Sequence, residues 1–414
     1  MHKFTQKPAV SQWIKRTLLS VCVLCAIQYN PFAQSVFTFN ALADLEVSKA
    51  GEKSHYYYNE IDQNETDLRF GMSQLNLLVQ LSPDSNWSFN GRLLLERDKG
   101  QKLDKFSTPQ LNIQWLSNNR KMGVTLGLFS NPFGSFNDNQ LSTQRNFIGL
   151  PLAYSYYANI SPKIGYLPDM GDVTKVMIDD EVQWGGSILY YGGYTAGAMM
   201  SWNIKPAKVN WKIALVNGAS NKLERFSKPT NWGIISRLKL QPTYYWEQGL
   251  SVSHGSFIQE SEVSTLLEDL GMFTQTLIGT DFKLGSGFFE VSGELIGAFY
   301  RVPIFDSEAR SFDTGANNDP LTVNSWSVYL DIKYEIPMIQ GSYVAYRIDH
   351  LGFGKLEDST SPQWDNHVLR HSVALGYHVS RNVLARMAVS TQQVNNKPWN
   401  KTQGTFRFVL TAHY

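Results

Sequence analysis

The chain has 414 residues, 37 basic and 36 acidic, with 18% charged and 13% aromatic side chains and a mean hydropathy of −0.27. Beyond the N-terminus it lacks an apolar run of roughly 20 residues, which excludes a bundle of membrane-spanning helices. Its charge content falls short of the quarter or so found in water-soluble domains, and its near-neutral balance lacks the basic footprint of a nucleic-acid binder.

In chain order, the first element is a leader. Lys15 and Arg16 precede the apolar run TLLSVCVLCAI at 17–27, and QYNPFAQS follows, with Ala33 as the cleavage residue. Basic, then apolar, then small is the order of a secretory signal, so residues 1–33 are expected to be removed. A buried N-terminal helix is the alternative. Both cysteines, Cys22 and Cys25, lie in this segment, so residues 34–414 carry 33 basic and 36 acidic residues, a net charge of −3, and no thiol. Disulfides and thiolate metal sites are therefore excluded from the exported part.

A period of two then dominates, the mark of strands whose successive side chains point to opposite faces. Phe37, Phe39, Ala41, Ala43, Leu45 and Val47 alternate with Thr38, Asn40, Asp44 and Glu46. Leu75–Leu81 repeats the pattern, SPDSN at 82–86 turns the chain, and Trp87, Phe89, Gly91, Leu93 and Leu95 alternate with Ser88, Asn90, Arg92 and Glu96. Further strands are read at 111–115, 122–128, 214–218, 232–240, 250–252, 278–284, 289–299, 326–334, 343–350, 371–379, 385–389 and 404–414. The stretch WGGSILYYGGYTAGAMMSWN at 184–203 reads either as one long strand kinked at Gly192-Gly193 or as a hairpin. About 16 strands result if it is one strand, the even number with which bacterial single-chain barrels close.

Short turns (82–86, 117–121, 285–287, 380–382) take turns with long connections near 48–67, 98–107, 130–181, 218–230, 258–272, 301–323, 351–366 and 392–403. This is the plan of a transmembrane antiparallel β-barrel, with short periplasmic turns and long extracellular loops. A soluble exported β-sandwich also alternates, but so many strands of ten or more residues would be unusual for one. No linker or second domain is evident.

The final stretch GTFRFVLTAHY places Phe406, Phe408, Leu410, Ala412 and Tyr414 on one face. In hydrocarbon a sheet must close on itself to pair its backbone, so this strand is expected to pair with the first. The ending resembles the C-terminal signal of bacterial outer-membrane proteins, which implies the barrel-assembly machinery as a partner and outer-membrane lipid as surroundings. GLFSNPFG at 127–134, the long connection after it and ALVNG at 214–218 resemble porins of the phosphate-selective O/P type. That resemblance implies a 16-stranded, usually homotrimeric channel in the bacterial outer membrane. Phosphate selectivity is not carried over, because no strong lumenal ladder of basic residues stands out.

Barrels of 16–18 strands leave an aqueous channel, so passive diffusion of small hydrophilic solutes or ions is the expected function. A non-conducting structural or adhesive barrel is the alternative. The segment 130–181 is rich in Phe, Tyr and Pro, a composition suited to packing against protein. It is expected to fold into the lumen as the third loop of general porins does; an ordered surface loop or a subunit contact are the other options.

By parity Arg347, Arg370, Arg386 and Arg407 face the lumen on four consecutive strands, as do Arg92 and Arg237 elsewhere. The long loop offers Asp138, Asp169, Asp172, Asp179, Asp180 and Glu181. Arginines facing carboxylates across a constriction would make a charge filter; alternatively they pair with lumenal Glu290, Glu294, Asp331 and Asp349 and brace the wall. No catalytic, metal or cofactor motif is read. His367 and His371 are four apart at the start of a strand, where helical ligand spacing has no meaning, and no outward serine accompanies His371. The tyrosines at 56–58 and at 154, 156 and 157 could stack on sugars, but tyrosines in loops more often pack with a polar tip.

Overall fold

The computed structural model describes residues 35–51, 68–96, 105–156, 158–162, 165–166, 175–178, 181–184, 193–220, 231–258, 270–306, 311–313, 320–356, 363–394 and 402–414. Sixteen strands close into one antiparallel barrel. They are β1 (Val36–Ala50), β2 (Arg69–Ser82), β3 (Trp87–Glu96), β4 (Lys105–Leu116), β5 (Met122–Ser130), β6 (Tyr194–Lys205), β7 (Val209–Asn217) and β8 (Trp232–Thr243). Then come β9 (Trp246–Ser256), β10 (Thr274–Ser286), β11 (Phe289–Val302), β12 (Leu321–Glu335), β13 (Ser342–Phe353), β14 (Val368–Ser380), β15 (Val383–Val394) and β16 (Thr402–His413). Each pairs with its sequence neighbours, and β16 returns to β1, with Leu410 opposite Leu45 and Thr411 opposite Asp44. Tyr414 adds a reciprocal backbone pair with Ala41 (2.9 and 3.3 Å). Closure gives every barrel strand a partner on both sides, as hydrocarbon demands of a sheet that crosses it.

The alternation sorts the faces. Leu126, Leu250, Ile278, Leu295 and Val389 lie outward and exposed near mid-strand. Phe37, Trp87, Trp246, Phe289, Tyr377 and Tyr414 ring the side of the short turns, and Phe70, Phe106, Trp232, Phe299 and Trp326 ring the side of the long loops. An apolar band between two aromatic girdles is the surface of a transmembrane barrel. No helix among the described residues is long and apolar enough to cross a membrane; this chain crosses with strands.

One strand reading is narrowed. Of the segment 184–203 the structure describes residues 184 and 193–203, which supply a single barrel strand. The barrel strand starts at Tyr194, directly after Gly193, whose φ is +69°. Glu181–Trp184 instead pairs with Lys175–Ile178 as a separate two-stranded piece. Gly193 stands just before the strand, where a left-handed φ breaks the pleat. Residues 185–192, and residues 1–33 with the expected leader, lie outside the described residues.

Candidate functional site

In the connection from β5 to β6, residues 131–156 and 158–161 lie against the inward face of the barrel. Its entry is the NPFG stretch. Asn131 takes the Gly193 carbonyl through its backbone N–H (2.8 Å) and the Ser220 carbonyl through its side chain (3.3 Å). Phe133 is fully buried against Gly279 of β10. Gly134 turns at φ +67° and donates to Ser251 Oγ of β9 (3.1 Å). A Cβ on Gly134 would overlap the Glu294 carboxylate, so glycine is what allows the close approach.

Glu294, inward on β11 and 3% exposed, anchors the next turn. Its Oε1 accepts the N–H groups of Ser135 and Phe136 (2.9 Å for the latter), and its Oε2 accepts the hydroxyl of Tyr154 (2.6 Å). Phe136 and Tyr154 pack together with ring centroids 4.8 Å apart. Phe129, Phe133, Phe136, Leu152, Tyr154, Ile235, Leu277, Ile296 and Tyr329 belong to one buried cluster, so the hydrophobic core sits inside the barrel, between loop and wall. Beyond it the loop residues Ile160 and Ser161 pair with Gly165 and Tyr166, and Tyr166 lies beside Ile304 of the β11–β12 connection. Asp365, after β13, accepts the N–H of Asn159 (2.7 Å) and the hydroxyl of Tyr156 (3.2 Å).

All six expected arginines point inward, and they divide by partner. Arg347 makes a two-pronged pair with Asp331 (2.5 and 2.6 Å), reaches the Gly149 carbonyl (3.0 Å) and lies over the Phe147 ring at 4.4 Å. Arg370 pairs with Asp349 (3.1 Å) and donates to the Leu150 carbonyl. Arg407 pairs with Glu46 (2.8 Å). Arg237 bridges Asp281 (2.8 Å) and the loop's Asp138 (2.7 Å), which Lys212 also approaches at 3.6 Å. Burial works against ionisation of Asp138, but Lys212 and Arg237 outweigh it and hold its pKa below the usual carboxylate value. Glu290 is occupied by Lys283 at 3.0 Å.

Arg92 and Arg386 behave differently. Arg92 donates to Asn76 (2.7 Å) and to the Tyr194 hydroxyl. Arg386 donates to the loop carbonyls of Ser142 (2.7 Å) and Arg145 (3.3 Å) and to Thr411 Oγ1 (3.0 Å), and its Nε has no partner. Among the described residues neither has a carboxylate within ion-pair distance. Asp44 is linked to Arg386 through Thr411, whose hydroxyl donates to it at 2.5 Å, and through Ser142, whose hydroxyl donates to it at 3.1 Å.

Arg145, which sequence reasoning missed, is the third of this kind. Its guanidinium caps the carbonyls of Asn139 (2.8 Å) and Gln140 (3.0 Å) and lies over Phe136 at 5.5 Å. Burial pushes its pKa down to about 10. Tyr194 pulls the other way, and the charges of Arg92, Arg386 and Arg347 add to the depression. It remains charged at neutral pH, within the electrostatic reach of three other arginines. On a loop no strand parity could assign it a side. The expected loop acids fare unevenly. Asp138 is in place, Asp169, Asp172, Asp179 and Asp180 lie outside the described residues, and Glu181 is described only as backbone in a strand.

On the side of the short turns a cavity of about 500 Å³ opens beneath Arg145, with Gln144, Asn146, Lys283, Lys333 and Tyr343 in its lining. Among the described residues no cluster of three or more metal-ligating side chains occurs. His371 faces outward and bonds the Tyr346 hydroxyl at 2.7 Å.

No protein-family model and no curated relative matches the chain. Solved structures do. An anion-selective porin from Comamonas acidovorans superposes with a TM-score of 0.56 at 11% identity, covering 92% of this chain and 100% of that one. A trimer form of OmpT, an outer membrane protein of Vibrio cholerae, gives 0.54 at 8% identity, covering 92% and 99%. The outer membrane channel DcaP of Acinetobacter baumannii gives 0.53 at 8% identity, covering 92% and 97%. At these identities the likeness is one of fold: this chain has the closed 16-stranded barrel seen in bacterial outer-membrane porins.

Proposed function

We propose that the protein is a non-enzymatic porin of the bacterial outer membrane, a water-filled passage for small hydrophilic solutes that favours anions. The observation that carries the anion preference is a group of three arginines at the loop. Among the described residues Arg92, Arg145 and Arg386 have no direct carboxylate partner, while Arg237, Arg347, Arg370 and Arg407 do. A buried cation without a counter-charge is costly, and in a low-dielectric wall its field reaches into the neighbouring water and raises the local anion concentration. The Comamonas neighbour is an anion-selective porin, which supports this reading.

The segments resembling O/P-type porins support the channel, not phosphate selectivity, since most of the inward arginines already hold carboxylates or loop carbonyls. A homotrimer, assembly through the C-terminal signal on Phe406, Phe408, Leu410, Ala412 and Tyr414, and removal of residues 1–33 belong to the same proposal. The trimer draws on the Vibrio neighbour, described as a trimer form.

The test is a planar bilayer with a potassium chloride gradient. The expected result is stable single-channel steps with a reversal potential on the chloride side, moved toward potassium by Arg145→Gln. No current at all would favour a barrel that only presents its loops to an external partner; current with a potassium-side reversal would keep the channel and remove the anion preference.

A further inference from the structure

We infer that the solutes this passage selects are hydroxylated anions, such as sugar acids and sugar phosphates; this rests on the anion-preferring channel reading above. The argument starts from where the lumen is filled. Inward residues of β10 to β13, such as Leu277, Tyr300, Val323 and Leu351, are 0–1% exposed beneath the loop and its neighbours. On the opposite wall, β2 to β7, Asn76, Arg92, Asn112 and Thr195 are buried, and the inward side chains that keep access to the interior are mostly amides. Gln80 is exposed, and Asn90, Gln110, Gln114, Asn203 and Asn210 are half-buried.

Their register makes a surface rather than a scatter. Gln80 stands opposite Asn90, Asn90 opposite Asn112, Ser88 opposite Gln114, and Asn203 opposite Asn210. The amides are linked to one another, Asn90 to Asn112 at 3.1 Å and Asn210 to Asn203 at 2.6 Å. An amide offers two donors and an acceptor and carries no charge. A row of them can exchange hydrogen bonds with successive hydroxyls of a passing solute without holding it by charge.

The cation lies in the same row. Arg92 is two residues beyond Asn90 on the same face of β3, roughly 7 Å along the strand, and directly opposite Gln110. A carboxylate or phosphate drawn toward Arg92 would therefore bring the hydroxyls beside it onto Asn90 and Gln110. Chloride or an aliphatic acid uses only the charge; an uncharged sugar uses only the amides; a hydroxylated anion uses both. A site built to hydrogen-bond hydroxyls discriminates against the analogue lacking them, because its polar groups would have to give up water without replacement.

The test uses the full channel in a planar bilayer carrying chloride current, with gluconate, hexanoate, glucose and glucose 6-phosphate added in turn. Gluconate is expected to interrupt or reduce the current saturably in the millimolar range, while hexanoate, of similar length but without hydroxyls, and glucose, without charge, act at least about ten-fold more weakly. Comparing gluconate with glucose 6-phosphate tells a carboxylate preference from a phosphate preference. The double variant Asn90→Leu, Gln110→Leu should raise the half-blocking gluconate concentration about ten-fold. Equal block by gluconate and hexanoate, or a gluconate block unmoved in the double variant, overturns the inference while leaving an anion channel standing. Absence of chloride current overturns the channel reading and this inference together.

Discussion

Tyr154 of the lumenal loop donates its hydroxyl to Glu294 of β11 at 2.6 Å, and the other oxygen of that carboxylate takes the N–H groups of Ser135 and Phe136. A wall acid thus holds a loop rather than a wall base, and the loop's position depends on it. Replacing Glu294 with Ala removes the acceptor of four hydrogen bonds, two from Ser135 and one each from Phe136 and Tyr154, at about 1–3 kcal/mol for each buried donor that finds no other partner. The expected outcome is a lower unfolding midpoint in detergent together with a larger or noisier single-channel conductance, as the loop leaves the wall. Gly134→Ala should act in the same direction through overlap with the carboxylate and strain at φ +67°. Unchanged conductance and midpoint in both variants would show that the loop is held elsewhere.

The division of the arginines gives a second prediction. Arg407 and Glu46 form a pair at 2.8 Å, so removing both charges leaves the net lumenal charge unaltered. The double variant Arg407→Gln, Glu46→Gln should keep the reversal potential close to that of the parent. The single variant Arg145→Gln removes a charge that has no carboxylate partner among the described residues and should move it toward the cation side. Salt should weaken the shift, since screening shortens the reach of the field to about 10 Å at 0.1 M. Equal shifts from the two variants would mean that the partition by partner has no bearing on selectivity.

These two predictions also mark what the sequence could and could not tell. A strand between lipid and water must alternate, so Phe37 to Val47 and Phe406 to Tyr414 announced their faces, and the inward side of all six strand arginines followed from parity alone. The turn-and-loop rhythm located the barrel strands to within a few residues, except where Gly192-Gly193 offered two geometries. Parity says which way a side chain points, not what it meets there. Arg347 and Arg386 look alike in the sequence, yet one meets Asp331 and the other meets the carbonyls of Ser142 and Arg145. Glu294 reads as a brace for an arginine only in the alternative to a charge filter, and its partners come from a loop about 140 to 160 residues earlier in the chain. Arg145 gave no signal, because a loop has no period from which to read a side.

The seam between first and last strands carries a third prediction. Leu42 stands opposite His413, Ala43 opposite Ala412 and Leu45 opposite Leu410, with Tyr414 bonded to Ala41 beyond them. Removing residues 410–414 leaves the lower part of β1 unpaired along one edge. In hydrocarbon an unpaired backbone group costs several kcal/mol, so the truncated chain should fail to give the compact, heat-modifiable form in detergent or liposomes. Tyr414→Ala alone keeps the ladder and removes only a side chain 80% exposed. It should fold from detergent at near-normal yield while accumulating poorly in the outer membrane of a producing cell, if the assembly machinery reads the terminal aromatic. Normal folding of the truncated chain would contradict closure through these residues.

The outer surface tests the premise beneath all of these. Leu295 sits mid-strand on β11, points away from the lumen and is 49% exposed outside the barrel wall. In water, exchanging an exposed leucine for arginine would change stability by no more than about 0.5 kcal/mol. At the midplane of a bilayer the same exchange costs about 2–4 kcal/mol, falling to roughly 0–1 near the interface. Leu295→Arg should therefore destabilise the liposome-embedded protein by several-fold more than Phe289→Arg in the turn-side girdle of the same strand, as read from denaturant titrations of folded barrels. The comparison within one strand holds pairing partners and sheet context nearly constant and changes mainly the depth in lipid. Equal and small effects at both positions would place this wall in water, and the apolar band of Leu126, Leu250, Ile278, Leu295 and Val389 would then need a protein partner to cover it.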